Sequence, residues 1–367
     1  MSGIRSSVKL KTNASPFKGR GTRLDPANRF ASTRHEAFDD GWTHEEAPQK
    51  PQTTLIRDAA RSIISRNDSP DIGFQSSLNP YRGCEHGCIY CFARPSHAYL
   101  GFSPGLEFET QIVFKPEAPR LLEKELSRAS YKPSVIVLGS NTDPYQPVER
   151  TLGLTRALLE VLEHFQHPVG IITKSATILR DQDILTRMAA QNLVRVHISL
   201  TTLDAALARA MEPRAATPKR RLQTITALSQ AGIEVCVMAS PMIPGLNDAE
   251  LEHILSEAQN AGATSAAMSL VRLPHELDVL MTDWLHTHLP ERATHVLSLL
   301  RQSRGGNLND SEFHRRFSGT GAYAQLLSQR FENALRRLGL NTAESPLDCT
   351  RFRVPGSTPL NLQMNLF

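Results

Sequence analysis

The chain has 367 residues, 40% of them apolar, and a formal net charge of +4. That length carries one large domain with extensions, or two modest domains, around a sizeable core, and so small a net charge does not by itself announce a nucleic-acid binder. Five cysteines, three of them within eight residues, exclude a secreted disulfide framework, and no apolar run reaches the roughly 18 residues a membrane span requires.

Residues 1–75 show no sustained period. Pro16, Pro26, Pro48, Pro51 and Pro70 punctuate a polar stretch, read as an irregular basic N-terminal extension with a short helix around Thr54–Ser65. Its first 34 residues hold Arg5, Lys9, Lys11, Lys18, Arg20, Arg23, Arg29 and Arg34 against the single acid Asp25. A solvated basic tail is the expectation there. No apolar signal-peptide core precedes it. A cytoplasmic setting suits thiols kept reduced, and no membrane partner is expected.

From 76 to 275 short β-branched runs alternate with longer amphipathic ones. Leu78–Arg82, Ser134–Gly139, Val169–Thr173, Val194–Leu200, Ile233–Ala239 and Thr264–Leu270 read as strands. Pro116–Ser127, Gly153–Phe165, Thr177–Ala190, Lys219–Ala231 and Asp248–Ala261 carry apolar residues at helical spacing. Asn247 is the expected N-cap of the last of these. Gly232 and Gly262 follow two of the helices, where a left-handed C-cap wants glycine. Strand–helix alternation implies parallel pairing through right-handed crossovers. About six such units predict an α/β fold, a partial (β/α)6 TIM-like barrel, with an open doubly wound sheet as the structural alternative. Residues 276–350 read as a helical C-terminal extension, with helices at Glu276–His288, Glu291–Arg301 and Gly321–Leu338. Residues 351–367 read as a flexible tail.

Directly after the first of these strands comes Gly83-Cys84-Glu85-His86-Gly87-Cys88-Ile89-Tyr90-Cys91-Phe92, a C-x3-C-x2-C spacing. Thiolates are the preferred ligands of iron–sulfur clusters. Three of them can hold three irons of a cubane and leave the fourth open to a chelating amino and carboxylate group. A zinc site with His86 or His97 as fourth ligand and a C-x-x-C redox pair are the competing readings. Cys236, inside an apolar strand, reads as core, and Cys349 as a bystander.

This motif resembles that of the radical S-adenosylmethionine (SAM) superfamily, and the resemblance extends over about residues 76–275. More narrowly, NPYRGCEHGCIYCFARPSHAYLG (79–101), TDPYQPVE (142–149), TKS (173–175), LRD (179–181), MEP (211–213) and SPMIPGLND (240–248) resemble the spore photoproduct lyase-like branch, related to DNA repair. The resemblance implies a 4Fe-4S cluster on Cys84, Cys88 and Cys91, SAM as cofactor or cosubstrate, and a deoxyadenosyl radical that abstracts hydrogen from a substrate. It further implies an electron donor such as flavodoxin or ferredoxin, and DNA or another nucleic acid as substrate. Modification of RNA, protein or a small molecule is the alternative within the superfamily, and a clamp-associated adaptor with a metal site is the alternative outside it. The lyase has a cysteine hydrogen donor after its second barrel strand; here Ser140-Asn141-Thr142 stand there, so that step is not carried over.

Polar residues gather at the C-terminal ends of the predicted strands, which converge on one mouth in a parallel barrel. Lys174 is the expected partner of a cofactor carboxylate. Asn141, Thr142 and Ser199 are expected to meet its amino group or ribose, and Tyr90 to pack beside cluster and adenine as part of the catalytic set. Glu149, Glu212 and Arg221 read either as mouth residues or as barrel salt bridges. Arg315-Arg316 reads as a solvated helix end or a phosphate-binding loop.

The chain ends Gln363-Met364-Asn365-Leu366-Phe367. This resembles the short bacterial peptide that docks on the DNA polymerase sliding clamp. Gln363 would supply a directional hydrogen bond, with Met364, Leu366 and Phe367 as apolar contacts on a flexible tether. On this reading Phe367→Ala abolishes retention of the protein on immobilised clamp; unchanged retention removes the docking idea.

Overall fold

The computed structural model describes residues 17–31, 51–342 and 346–356. The clamp-like pentapeptide and most of the basic N-terminal stretch lie outside the described residues. Ten strands occur among those described: β1 (Thr54–Arg57), β2 (Ile64–Arg66), β3 (Ser76–Leu78), β4 (Tyr81–Arg82), β5 (Gln111–Phe114), β6 (Ile136–Leu138), β7 (Val169–Thr173), β8 (Val194–Ser199), β9 (Glu234–Met242) and β10 (Ser265–Leu270). Seven form one sheet in the order β10-β9-β8-β7-β6-β3-β2. Six of these run parallel, and β2 alone is antiparallel to its neighbour.

Each parallel step requires a crossover, and helices Leu154–His164, Gln182–Ala189, Pro218–Gln230 and Leu251–Asn260 supply the last four. The fold is a partial (β/α)6 barrel, as the alternation predicts. One face of its strands is apolar and packs under the helices: Val169, Ile171, Val196, Ile198, Val235 and Val237 are all buried in one core with Ile184, Leu228 and Ile254 from the helices. Local chemistry sets the helix ends. Thr217 accepts a hydrogen bond from Arg220 N while Pro218 occupies the first turn. The open edge of β10 is blocked, since the Asn341 side chain bonds both Ala266 N (2.7 Å) and Ala266 O (3.0 Å).

Two local expectations are corrected and a third is refined. The helix expected around Thr54–Ser65 is absent; β1 and β2 stand there. The Thr-Leu-Ile-Arg run pairs in parallel with β5, whose own apolar run sequence reading passed over, and with β4 these make a separate three-stranded sheet. Backbone pairing with a distant partner outweighs local period in so short a run. Asn247 stands at the expected N-cap position, before the 3-10 turn Asp248–Glu250, but its side chain does not cap that turn. Its side chain accepts from Ile243 N and donates to Thr201 O (2.7 Å) and Pro241 O (3.0 Å), so it ties the end of β9 to the loop after β8. The described part of the N-terminal stretch is not a solvated tail: Arg23 pairs with Asp283 (2.7 Å) and Arg29 with Glu276 (3.0 Å).

Those acids sit at the helix Leu277–His288. With Pro290–Gln302 this helix packs on Ile89, Tyr90, Met211 and Ile243 in a second apolar cluster at the barrel mouth. At the opposite end Phe352 packs on Tyr131 and His167. The His167 ring is buried; its Nδ1–H donates to Pro168 O (2.9 Å), and its Nε2 accepts from the Tyr131 hydroxyl (2.7 Å). Burial pulls its pKa down to about 4 against the favourable Pro168 contact. The neutral ring is therefore the folded form. As pH falls from about 6.5 towards 4 the unfolded chain takes up a proton that the folded chain refuses, so stability drops in that window. The urea midpoint is expected to fall between pH 7 and 4, and less steeply in His167→Gln; parallel profiles would contradict this.

Candidate active site

The cysteine loop leaves β4 at Gly83 and doubles back at Gly87, whose φ is +66°. A Cβ at Gly87 would meet Glu109 Oε2 at 2.6 Å, and one at Gly21 would meet Gly87 O at 1.7 Å. Only glycines allow the N-terminal strap to lie this close to the loop. Cys84 and Cys88 are buried and Cys91 is half-buried.

Four groups of contacts fix the loop. Gln146 donates to Gly83 O (3.1 Å) and accepts from Glu85 N (2.9 Å). Arg94 donates to Cys88 O (2.9 Å) and Gly87 O (3.0 Å) and pairs with Glu109 (2.5 Å), both side chains fully buried. Ile89 N donates to Met211 O (2.9 Å). The Tyr90 hydroxyl bonds Glu212 and lies 3.1 Å from Thr201 Oγ1, while Arg221 pairs with Glu212 and donates to Ser199 O (3.0 Å).

Burial pushes the Cys84 and Cys88 thiols up. Asp143 adds to the rise at Cys84 and Glu212 at Cys88, whereas Lys174 opposes it at Cys88. These two buried thiols ionise readily only against added positive charge, which bound iron would provide. Neither nearby histidine completes a single-ion site with them. His86 Nδ1 lies 3.2 Å from Asp143 Oδ2, and His97 is wedged against Phe102 and Phe108. Among the described residues no three His, Cys, Asp or Glu side chains converge as a single-ion site would need. The donor set, three thiols along one loop, fits a cubane with one iron unligated by protein.

The other expected residues flank this loop. The Lys174 Nζ stands 5.7 Å from the Tyr90 ring centre, and its backbone N donates to Asp143 (2.8 Å). Burial would raise Asp143, but His86 and the donors Lys174 N and Thr173 Oγ1 hold it down to about 2. Asn141 is half-buried and Ser199 closes β8. The Asn141 carboxamide and the Lys174 ammonium make no hydrogen bond or ion pair with another described residue. Thr142 is placed differently: its hydroxyl donates to Tyr81 O (2.8 Å) and it is buried, so it ties the loop after β6 to β4.

Glu149 is a structural carboxylate, bonded to Tyr81, Thr155 N and Arg180. Arg315 and Arg316 pair with Asp310 and Asp71. Sequence reading gave no role to Arg94, Glu109, Gln146 or Asn79. All except Glu109 stand inside the stretches that carry the resemblance, and that was the available signal.

A model of the radical SAM superfamily matches residues 78–258. An uncharacterized protein of Mycobacterium tuberculosis is 35% identical over 259 residues, which are 70% of this chain and 76% of that protein. The chain belongs to the radical SAM superfamily. It is a radical SAM enzyme, and the superfamily's cofactors are a 4Fe-4S cluster and SAM. An uncharacterized protein of Methanocaldococcus jannaschii is 26% identical over 205 residues, 56% of this chain and 73% of that one. Among solved structures, spore photoproduct lyase complexed with dinucleoside spore photoproduct aligns with a TM-score of 0.55 and 14% identity, covering 77% of this chain and 79% of that chain. A variant of that lyase with bound AdoMet and the same dinucleoside gives 0.54 and 12%, covering 77% and 78%. At this identity the likeness is one of fold. No helix among the described residues is long and apolar enough to cross a membrane.

Proposed function

We propose that this radical SAM enzyme repairs or modifies a nucleic acid by hydrogen abstraction, with Cys84, Cys88 and Cys91 as cluster ligands. When bound, the cluster and SAM supply reductive cleavage of a carbon–sulfur bond and a hydrogen-abstracting radical. Lys174 holds the cofactor carboxylate as a point charge. Asn141 and Ser199 offer hydrogen bonds to its amino group or ribose, and the Tyr90 ring forms the wall between Lys174 and the loop. Glu212 fixes that ring in place by accepting from its hydroxyl, and Arg221 holds Glu212. The apolar cluster of Ile89, Ile243 and the C-terminal helices keeps water from one side of the site. A small electron-transfer protein of the flavodoxin or ferredoxin kind would reduce the cluster.

The observation that carries the nucleic-acid reading is the shared fold with a lyase whose solved complex holds a dinucleoside. One departure limits it. The Ser140 hydroxyl accepts from Asn79 (3.2 Å) where a thiol donor would stand, so the lyase's own donor step has no counterpart at that position. The test is anaerobic: reconstituted enzyme, SAM and dithionite, with a lesion-bearing duplex, a single strand or tRNA. One of the three is expected to bind and to raise 5′-deoxyadenosine formation. Cleavage of SAM with no binding to any of them would discard the nucleic-acid reading and turn attention to protein or small-molecule substrates.

A further inference from the structure

A cavity of about 340 Å3 opens beside the cysteine loop, a size within the range of ligand clefts. Its wall is shared by four segments: His86 from the loop, Arg150 beyond β6, Ser175 and Thr177 beyond β7, and Arg214 and Arg220 beyond β8. Three arginines line it and no carboxylate does. Arg214 Nη1 is held by Glu85 (2.8 Å), which also accepts from the Thr53 hydroxyl (2.6 Å), so this guanidinium is pre-positioned while its other N–H groups remain to donate. Arg150 and Arg220 are exposed and make no ion pair among the described residues; Arg220 reaches only Gln223 (3.3 Å). With Glu85 set against one arginine, two positive charges stand uncompensated around one concavity.

We infer that this cavity is a phosphodiester-binding subsite for the backbone of a nucleic-acid substrate. Guanidinium groups arriving from separate elements can grip a tetrahedral oxyanion on several faces with paired N–H donors. The position suits the chemistry. His86 lies between Cys84 and Cys88, and Ser175 follows Lys174, so a phosphate held here sits next to the reacting centre and fixes the register of the strand without reading its bases. The polymer assignment rests on the nucleic-acid reading above; the anion chemistry of the cavity does not.

The test uses holoenzyme and the tightest-binding of the three nucleic acids named above, followed by fluorescence anisotropy over a salt series. Arg150→Ala/Arg220→Ala is expected to weaken binding at least about tenfold for every sequence tried and to flatten the salt dependence by about 0.7 per lost contact on a single strand. Arg150→Lys/Arg220→Lys should recover most of that salt dependence. Cluster content and melting temperature equal to wild type separate the effect from misfolding. If wild type binds and the alanine variant binds equally well, the subsite is overturned while the nucleic-acid reading stands. If wild type binds inorganic pyrophosphate through Arg150 but no nucleic acid, the cavity serves a small phosphate and both the polymer assignment and the nucleic-acid reading fall. Binding of neither probe overturns both as well.

Discussion

Cys88→Ala abolishes formation of 5′-deoxyadenosine from SAM under anaerobic reduction and leaves the reconstituted protein without its iron–sulfur absorbance. The loss is expected to be complete rather than graded because the loop has no fourth thiol, and among the described residues no histidine converges with two of its cysteines on one point. The two other cysteines lie elsewhere. Cys236 is buried within β9, in register with His197 and Ser265. Cys349 packs near Tyr131 and Val135, at the end of the barrel opposite the mouth. Cys236→Ala is the matched control and should keep both iron and cleavage. Cleavage that survives in Cys88→Ala would remove that thiol from the ligand set, and a dead Cys236→Ala would show that the assay reports folding instead.

The framework of this site was legible because its signals are local. Three thiols within eight residues need no tertiary information, and the parallel strands announce themselves as short β-branched runs. The predicted bounds of Val169–Thr173 and Gly321–Leu338 match the observed elements to the residue. The support of the loop was illegible for the opposite reason. Arg94 and Glu109 are 15 residues apart in the chain, and each alone reads as a surface charge. Gly21 meets Glu109 across 88 residues, and nothing in a polar, proline-punctuated stretch foretells a strap. Thr142 shows the same limit from the other side. Its position at a strand end suggested ligand contact, but whether its hydroxyl faces the mouth or Tyr81 depends on where β4 runs, and β4 is two residues long.

Glu109→Ala is expected to cost about 3–5 kcal/mol of unfolding free energy, the scale for stripping one partner from a buried ion pair. Arg94 would be left charged and fully enclosed, and Gly21 N would lose its acceptor at 2.9 Å. Burial pushes the Glu109 carboxyl up even with Arg94 beside it, so the pair already carries a desolvation cost and is a poor source of net stability. Its worth lies in placement. Arg94 donates to Cys88 O, Gly87 O and, at 2.8 Å, Gly105 O, which clamps the middle of the cysteine loop from behind. These two roles separate in a paired variant. Arg94→Met/Glu109→Leu removes both charges and should regain most of the unfolding free energy measured in urea, because no buried charge remains unpaired. It should still load iron poorly, because two loop carbonyls have lost their donor and the three thiols are no longer held in one arrangement. A paired variant that loads iron as well as wild type would show that the loop holds its shape without Arg94. Glu109→Ala with an unchanged urea midpoint would show that the pair is not sealed from water.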